Sequence, residues 1–165
     1  MEINKGDLVF YPLHGVGLLK DRVTRLYEDK EKVYFKVYFE EIKMDIYIPE
    51  NSAEQQGIRP LTSPEVLEES KSRFFEKFSK LPLLASERKK LLEKKLKSGD
   101  IFNITEIIRD LVCAPQYELK LGSQDKSILE AACRLLKNEL RYALNISDDK
   151  ASESLKKSIL LLKYK

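Results

Sequence analysis

The feature that most limits what this chain can fold into is a change of hydrophobic period near residue 62. Before it, apolar side chains recur at every second position. In "KVYFKVYF", residues 32–39, Val33, Phe35, Val37 and Phe39 fall on one face, with Tyr34, Lys36 and Tyr38 on the other. A period of two, rich in β-branched and aromatic residues, predicts a strand with one buried face. "MDIYI" repeats it through Met44, Ile46 and Ile48, and "DLVFY" and "GVGLLKDRVTRLY" supply two further strands. The links "PLHG", "EDKE" and "EEIK" are short, and Pro49 and Pro60 punctuate the end. Short strands on tight links within about 60 residues predict a small barrel of SH3 or Tudor type.

After Thr62 the period is helical. Ser63 followed by Pro64 reads as an N-cap with proline at the first helical position. Leu67, Phe74, Phe78 and Leu81 keep to one side and predict a first helix that ends at Pro82. Ser86 reads as the cap of a second helix running to Ser98-Gly99. "NITE", Asn103 to Glu106, matches a capping box ahead of Ile107, Ile108 and Leu111. A fourth helix follows the Gly122-Ser123 break, and Ser147 opens a fifth carrying Leu155, Ile159 and Leu162. The expected fold class is α+β: an N-terminal barrel over residues 1–62, then an all-helical domain of about five helices over residues 63–165.

Residues for enzymatic chemistry are sparse. His14 is the single histidine, and no nucleophile elbow, P-loop or zinc-protease pattern accompanies it. It lies in "YPLHGVGLL", where Pro12, His14, Gly15 and Gly17 read as a bend between two barrel strands. Here the two glycines are expected to supply backbone angles that other residues avoid. Cys113 and Cys133 lack metal-ligand spacing and fall on helical apolar stripes, as packing residues do. The expectation is a non-enzymatic protein without cofactor, metal or small-molecule substrate. No secretory signal or bilayer-length apolar run is evident, which predicts a cytoplasmic location away from membranes.

Charge is unevenly placed. Residues 71–97 hold ten Lys and Arg against three Asp and Glu, whereas residues 1–62 hold nine against eleven. Arg88, Lys89 and Lys90 open a crowded run that Lys94, Lys95 and Lys97 continue. Bases at this density attract phosphate through charge and counterion release; a merely solvated helix face is the competing reading. The acidic barrel, with Tyr34, Tyr38 and Tyr47 on its outer face, suits a protein partner better than a nucleic acid.

Several stretches together resemble the bacterial CarD/CdnL family of transcription regulators. "KGDLVFYPLHGVGLL" is similar to the opening of that family's barrel and "IYIPENSAEQQGIRP" to its close. "LKSGDIFNITEIIRDL" and "LLKNEL" resemble its helical segments, so the likeness spans roughly residues 3–162. The resemblance implies a Tudor-like barrel that binds the β subunit of RNA polymerase. It also implies a helical domain that contacts double-stranded promoter DNA at the upstream fork and stabilises the open complex. The protein would then be nucleoid-associated through the polymerase.

Carried over by position, Arg25 stands where the family places an arginine against the polymerase. Tyr47 stands where some members have a second arginine. Arg88, Lys89 and Lys90 fall in the helix whose bases approach DNA phosphates. Ala85 replaces a tryptophan that many members wedge into the minor groove, with Leu83 or Leu84 as substitutes. The alternative is a protein-only adaptor at RNA polymerase without direct DNA contact.

Overall fold

Five strands build the first unit of the computed structural model, which describes residues 2–164. They are β1 (Leu8–Tyr11), β2 (Gly15–Tyr27), β3 (Lys30–Phe39), β4 (Met44–Pro49) and β5 (Arg59–Pro60). All pairings are antiparallel, in the order β4-β3-β2-β1-β5. The sheet encloses Val9, Tyr11, Leu19, Phe35, Val37, Phe39 and Ile48, with Ile3, Ala53 and Ile58 completing the cluster. The alternation in β3 puts Phe35, Val37 and Phe39 in the core and Tyr34, Lys36 and Tyr38 outside, but Val33 and, in β4, Met44 are exposed where the same alternation expected them on the inner face.

A bulge in β2 decides what the outer face carries. Leu19 pairs with Val37, but Asp21 pairs with Lys36, so Lys20 is an extra residue in the ladder. One inserted residue exchanges the two faces of every position beyond it. Gly17 and Leu19 point inward before the bulge; after it, Arg22 pairs with the buried Phe35, while Val23 and Arg25 pair with the outward Tyr34 and Lys32.

The two glycines of the bend have different causes. Gly15 has φ near 80°, the left-handed region that favours glycine. Gly17 is not in that region, which corrects the expectation of a special backbone angle there. A Cβ at Gly17 would lie 2.6 Å from Val37 Cγ1 and 2.7 Å from Phe39 Cε1, so the requirement is space. Pro12 is buried, and His14 packs its ring 5.3 Å from Phe39 and 5.8 Å from Tyr11, centroid to centroid.

The chain divides into Met1–Leu61 and Thr62–Lys165. The second unit contains α1 (Pro64–Phe74), α2 (Ala85–Lys97), α3 (Ile101–Cys113), α4 (Ser123–Ala143) and α5 (Asp148–Lys163). Helix α3 is central and packs against each of the other four. Its Ile104, Ile107, Ile108 and Leu111 are fully buried, each contributing about 1.5–3 kcal/mol by removal from water.

Caps at α1 and α5 are the predicted Ser63 and Ser147, whose hydroxyls accept from the Val66 and Lys150 amides. At α3 the cap is Asp100, accepting from the amides of Phe102 and Asn103, and not the Asn103 of "NITE". Helix α2 begins at Ala85, one residue before the expected Ser86 cap. Helix α1 stops at Phe74 instead of reaching Leu81. The backbone beyond it is taken by tertiary partners: Ser79 N–H donates to Asp110 Oδ1 (2.9 Å) and Leu81 N–H to the Tyr117 hydroxyl (2.9 Å).

Candidate functional site

The outer face of the sheet carries a row of cations laid on tyrosines. The Arg25 guanidinium lies 4.0 Å from the centre of the Tyr47 ring, and Lys36 approaches the same ring at 5.9 Å. Lys20 covers Tyr38 at 4.6 Å, and Lys32 covers Tyr27 at 4.4 Å. Asp45 is the acid among them, 3.3 Å from Lys20 and 3.8 Å from Lys36. Arg25 is on β2 and Tyr47 on β4, with β3 between them. The structure therefore brings together the two residues that sequence position assigned to one contact surface. Stacking occupies the face of the guanidinium and leaves its N–H edge for a carboxylate.

In the helical unit, residues 75–84 form a non-helical approach to α2, ending in two exposed leucines. Leu83 is 80% and Leu84 60% exposed. The two adjacent leucines make a small exposed apolar tip. The Phe78 ring stacks on Tyr117 at 5.6 Å, and Leu81 is buried. The Asp110 that holds Ser79 is itself buried and bonded by Arg109 Nε at 2.9 Å, while Arg109 Nη1 donates to the Arg73 carbonyl at 3.2 Å. Ala85, exposed, is the first residue of α2.

Arg88 is placed otherwise than its charge suggested. It is 4% exposed and donates from Nε to Asp125 Oδ1 (2.8 Å) and from Nη2 to Asp125 Oδ2 (2.9 Å). Its Nη1 donates to the Pro82 carbonyl (2.9 Å) and the Leu83 carbonyl (3.1 Å). Four of the five guanidinium N–H groups are thus engaged internally. Arg88 as a direct phosphate contact is corrected by this burial. The hydrogen bonds from Arg88 hold the Asp125 carboxyl below the usual carboxylate range, and the Gly122 amide adds to the effect. Asp125 in turn raises the Arg88 value.

The remaining bases of α2 divide by face. Lys90, Lys94 and Lys97, at spacings of four and three, are all exposed and form one stripe. Lys89 is half-buried and 3.9 Å from Glu93; Lys95 donates to Glu106 at 3.1 Å. Asp125, Asp110 and Tyr117 were not singled out from the sequence. A signal for Arg88 did exist: it precedes the buried Leu92 by four positions, which puts it on the inward face of α2.

Burial pushes the Cys133 thiol up to about 11 and raises that of Cys113, so neither is an activated thiolate at neutral pH. Among the described residues, no group of three or more His, Cys, Asp and Glu is placed to hold a metal ion, and no helix is long and apolar enough to cross a membrane.

Comparison with known proteins gives two family matches in sequence. Residues 3–62 match the CarD-like/TRCF RID domain, and residues 73–156 match the CarD C-terminal domain. A protein of Bacillus subtilis (strain 168) named "Putative transcription factor YdeB" is 27% identical over 143 residues, covering 87% of this chain and 93% of that protein.

Proposed function

The chain belongs to the CarD family of transcription regulators, and on that premise we propose that it binds the β subunit of RNA polymerase through residues 1–62. Residues 63–165 contact promoter DNA beside the upstream fork and stabilise the open complex. The observation that carries the DNA half is the pairing of an exposed Leu83–Leu84 tip with the exposed stripe Lys90–Lys94–Lys97 on the helix that follows. Lysines neutralise phosphates without reading sequence, and apolar side chains wedge between base steps in a minor groove. Leucine is an adequate wedge where Ala85 is too short, so Leu84, with Leu83, takes the part that the family tryptophan has elsewhere. Lys90, Lys94 and Lys97 supply phosphate contacts, Lys89 stands beside them against Glu93, and Ala85 adjoins the backbone without inserting.

The polymerase half is supported by the RID match and by Arg25 stacked on Tyr47. A planar, pre-oriented guanidinium pairs well with a carboxylate across an interface. Docking through this face makes DNA contact intramolecular, with an effective concentration on the order of millimolar for a short linker. A weakly basic, non-specific helical unit then suffices.

The experiment is the lifetime of competitor-resistant open complexes formed by polymerase holoenzyme on a promoter fragment, with and without the full chain. The reading expects a longer lifetime, abolished by Arg25→Glu and reduced by Leu83→Ser/Leu84→Ser. A lifetime unaffected by the leucine changes and by salt, with polymerase binding intact, would favour an adaptor that touches protein alone.

A further inference from the structure

We propose that Arg88 and Asp125 form a clamp that positions the Leu83–Leu84 tip, so that Arg88 serves DNA binding through the shape of the segment before it and without touching DNA. The inference rests on the reading of that tip as the DNA contact. Its geometry stands independently. The two carbonyls held by Arg88 Nη1 are those of Pro82 and Leu83, immediately before and within the tip. The opposite edge of the same guanidinium is locked by both oxygens of Asp125, at 2.8 and 2.9 Å. Asp125 is fixed in turn by the Gly122 amide at 2.8 Å, in the first turn of the long helix α4. One planar fork therefore joins the start of α4, helix α2 and the tip. A lysine carries its three donors on one nitrogen and cannot reproduce the fork that grips both carboxylate oxygens from one edge and the two carbonyls from the other.

Stability does not require such a device. A buried ion pair is commonly no better than a well-packed apolar pair of similar volume. What the apolar pair lacks is a donor for the two carbonyls. Two leucines exposed by 80% and 60% would otherwise gain by folding onto an apolar surface. A tip held open by its own backbone carbonyls is pre-organised to meet a partner.

The test uses the full chain with Arg88→Met/Asp125→Leu, which removes both charges together and keeps the site filled. Backbone order parameters at Leu83, Leu84 and Ala85 are expected to fall from about 0.85 to below about 0.6, while those of α3 and α4 hold. Open-complex lifetime with polymerase holoenzyme should fall to that of Leu83→Ser/Leu84→Ser, with the salt dependence of DNA binding unchanged. Asp125→Asn sharpens the sign. It adds positive charge, so a purely electrostatic role predicts a longer lifetime, whereas the clamp predicts a shorter one. Unchanged order at the tip in the double variant, or a gain with Asp125→Asn, overturns the proposal. A loosened tip with a lifetime indifferent to both leucines keeps the clamp and removes the DNA reading instead.

Discussion

Arg25 and Arg88 have the same side chain, and both are expected from sequence position to touch a partner, yet the two units place them in opposite environments. Arg25 lies exposed on the outer face of the sheet over an aromatic ring. Arg88 is buried, with its donors spent on a carboxylate and two carbonyls. A count of charges cannot separate the two cases. What separates them is phase against the apolar pattern: Arg25 is on the outward face of β2 beyond its bulge, and Arg88 is one turn from the buried Leu92.

The largest effect should come from breaking the buried pair. Asp125→Ala leaves the Arg88 charge unpaired inside the helical unit and should cost about 3–5 kcal/mol by denaturant unfolding. The pH dependence has a definite sign. The folded-state pKa of Asp125 is depressed, so its stabilisation is complete above the unfolded value of about 4 and is lost as pH falls through the lower folded value. The parent protein should therefore show an acid-linked loss below about pH 4 that the Arg88→Met/Asp125→Leu variant lacks. An identical acid profile in both would break the contrast between the two arginines.

Arg25→Glu is the counterpart on the open face. Stability should change by less than about 0.5 kcal/mol, because the side chain is exposed. Titration of the full chain into polymerase should show affinity falling about 10- to 100-fold, since reversal places like charges across an interface. Large destabilisation with unchanged affinity would mean that Arg25 belongs with Arg88 as a structural residue.

The residues that sequence placed well are those whose partners are close in the chain. Strand β3 was legible because alternation is a local property, and the Ser63 and Ser147 caps because each bonds an amide three residues on. The segment 75–84 was not legible. Its apolar spacing continues a helical stripe, but its backbone is claimed by Asp110, Tyr117 and Arg88, on parts of the chain that folding brings together. For the same reason Arg88 read as one base among many: Asp125 lies 37 residues away. "NITE" misled because the box pattern is satisfied on paper, while Asp100 reaches the first free amides of the helix three residues earlier. The resemblance placed Arg25 and Tyr47 on one contact surface but gave no hint that the ring lies under the guanidinium; that stacking depends on the β2 bulge and the intervening strand.

The exposed lysine stripe of α2 tests the comparison at a smaller scale. Neutralising Lys90, Lys94 and Lys97 to glutamine should leave unfolding nearly unchanged. Each phosphate contact removed should reduce the slope of log K against log salt by about 0.9 on duplex DNA. Fluorescence anisotropy on a promoter duplex over a range of salt reads this directly. Arg88→Met/Asp125→Leu should leave the slope as it is, because the pair it removes presents no donor to phosphate.

The smallest effect separates what Tyr47 does from what Arg25 does. If the ring serves only to hold the guanidinium in place, Tyr47→Phe keeps the aromatic face and should bind polymerase as the parent does. Tyr47→Leu keeps apolar bulk but loses the quadrupole. It should then weaken binding by about 0.5–1 kcal/mol, or roughly two- to fivefold, the range of an exposed cation–π contact. In an Arg25→Ala background there is no cation left over the ring from β2, so the same leucine change should have no further effect. That double-mutant cycle measures the coupling between the two residues separately from their individual contacts. Full additivity would show that Tyr47 meets the polymerase by itself, and the pre-orientation argument for Arg25 would fall while its contact remained.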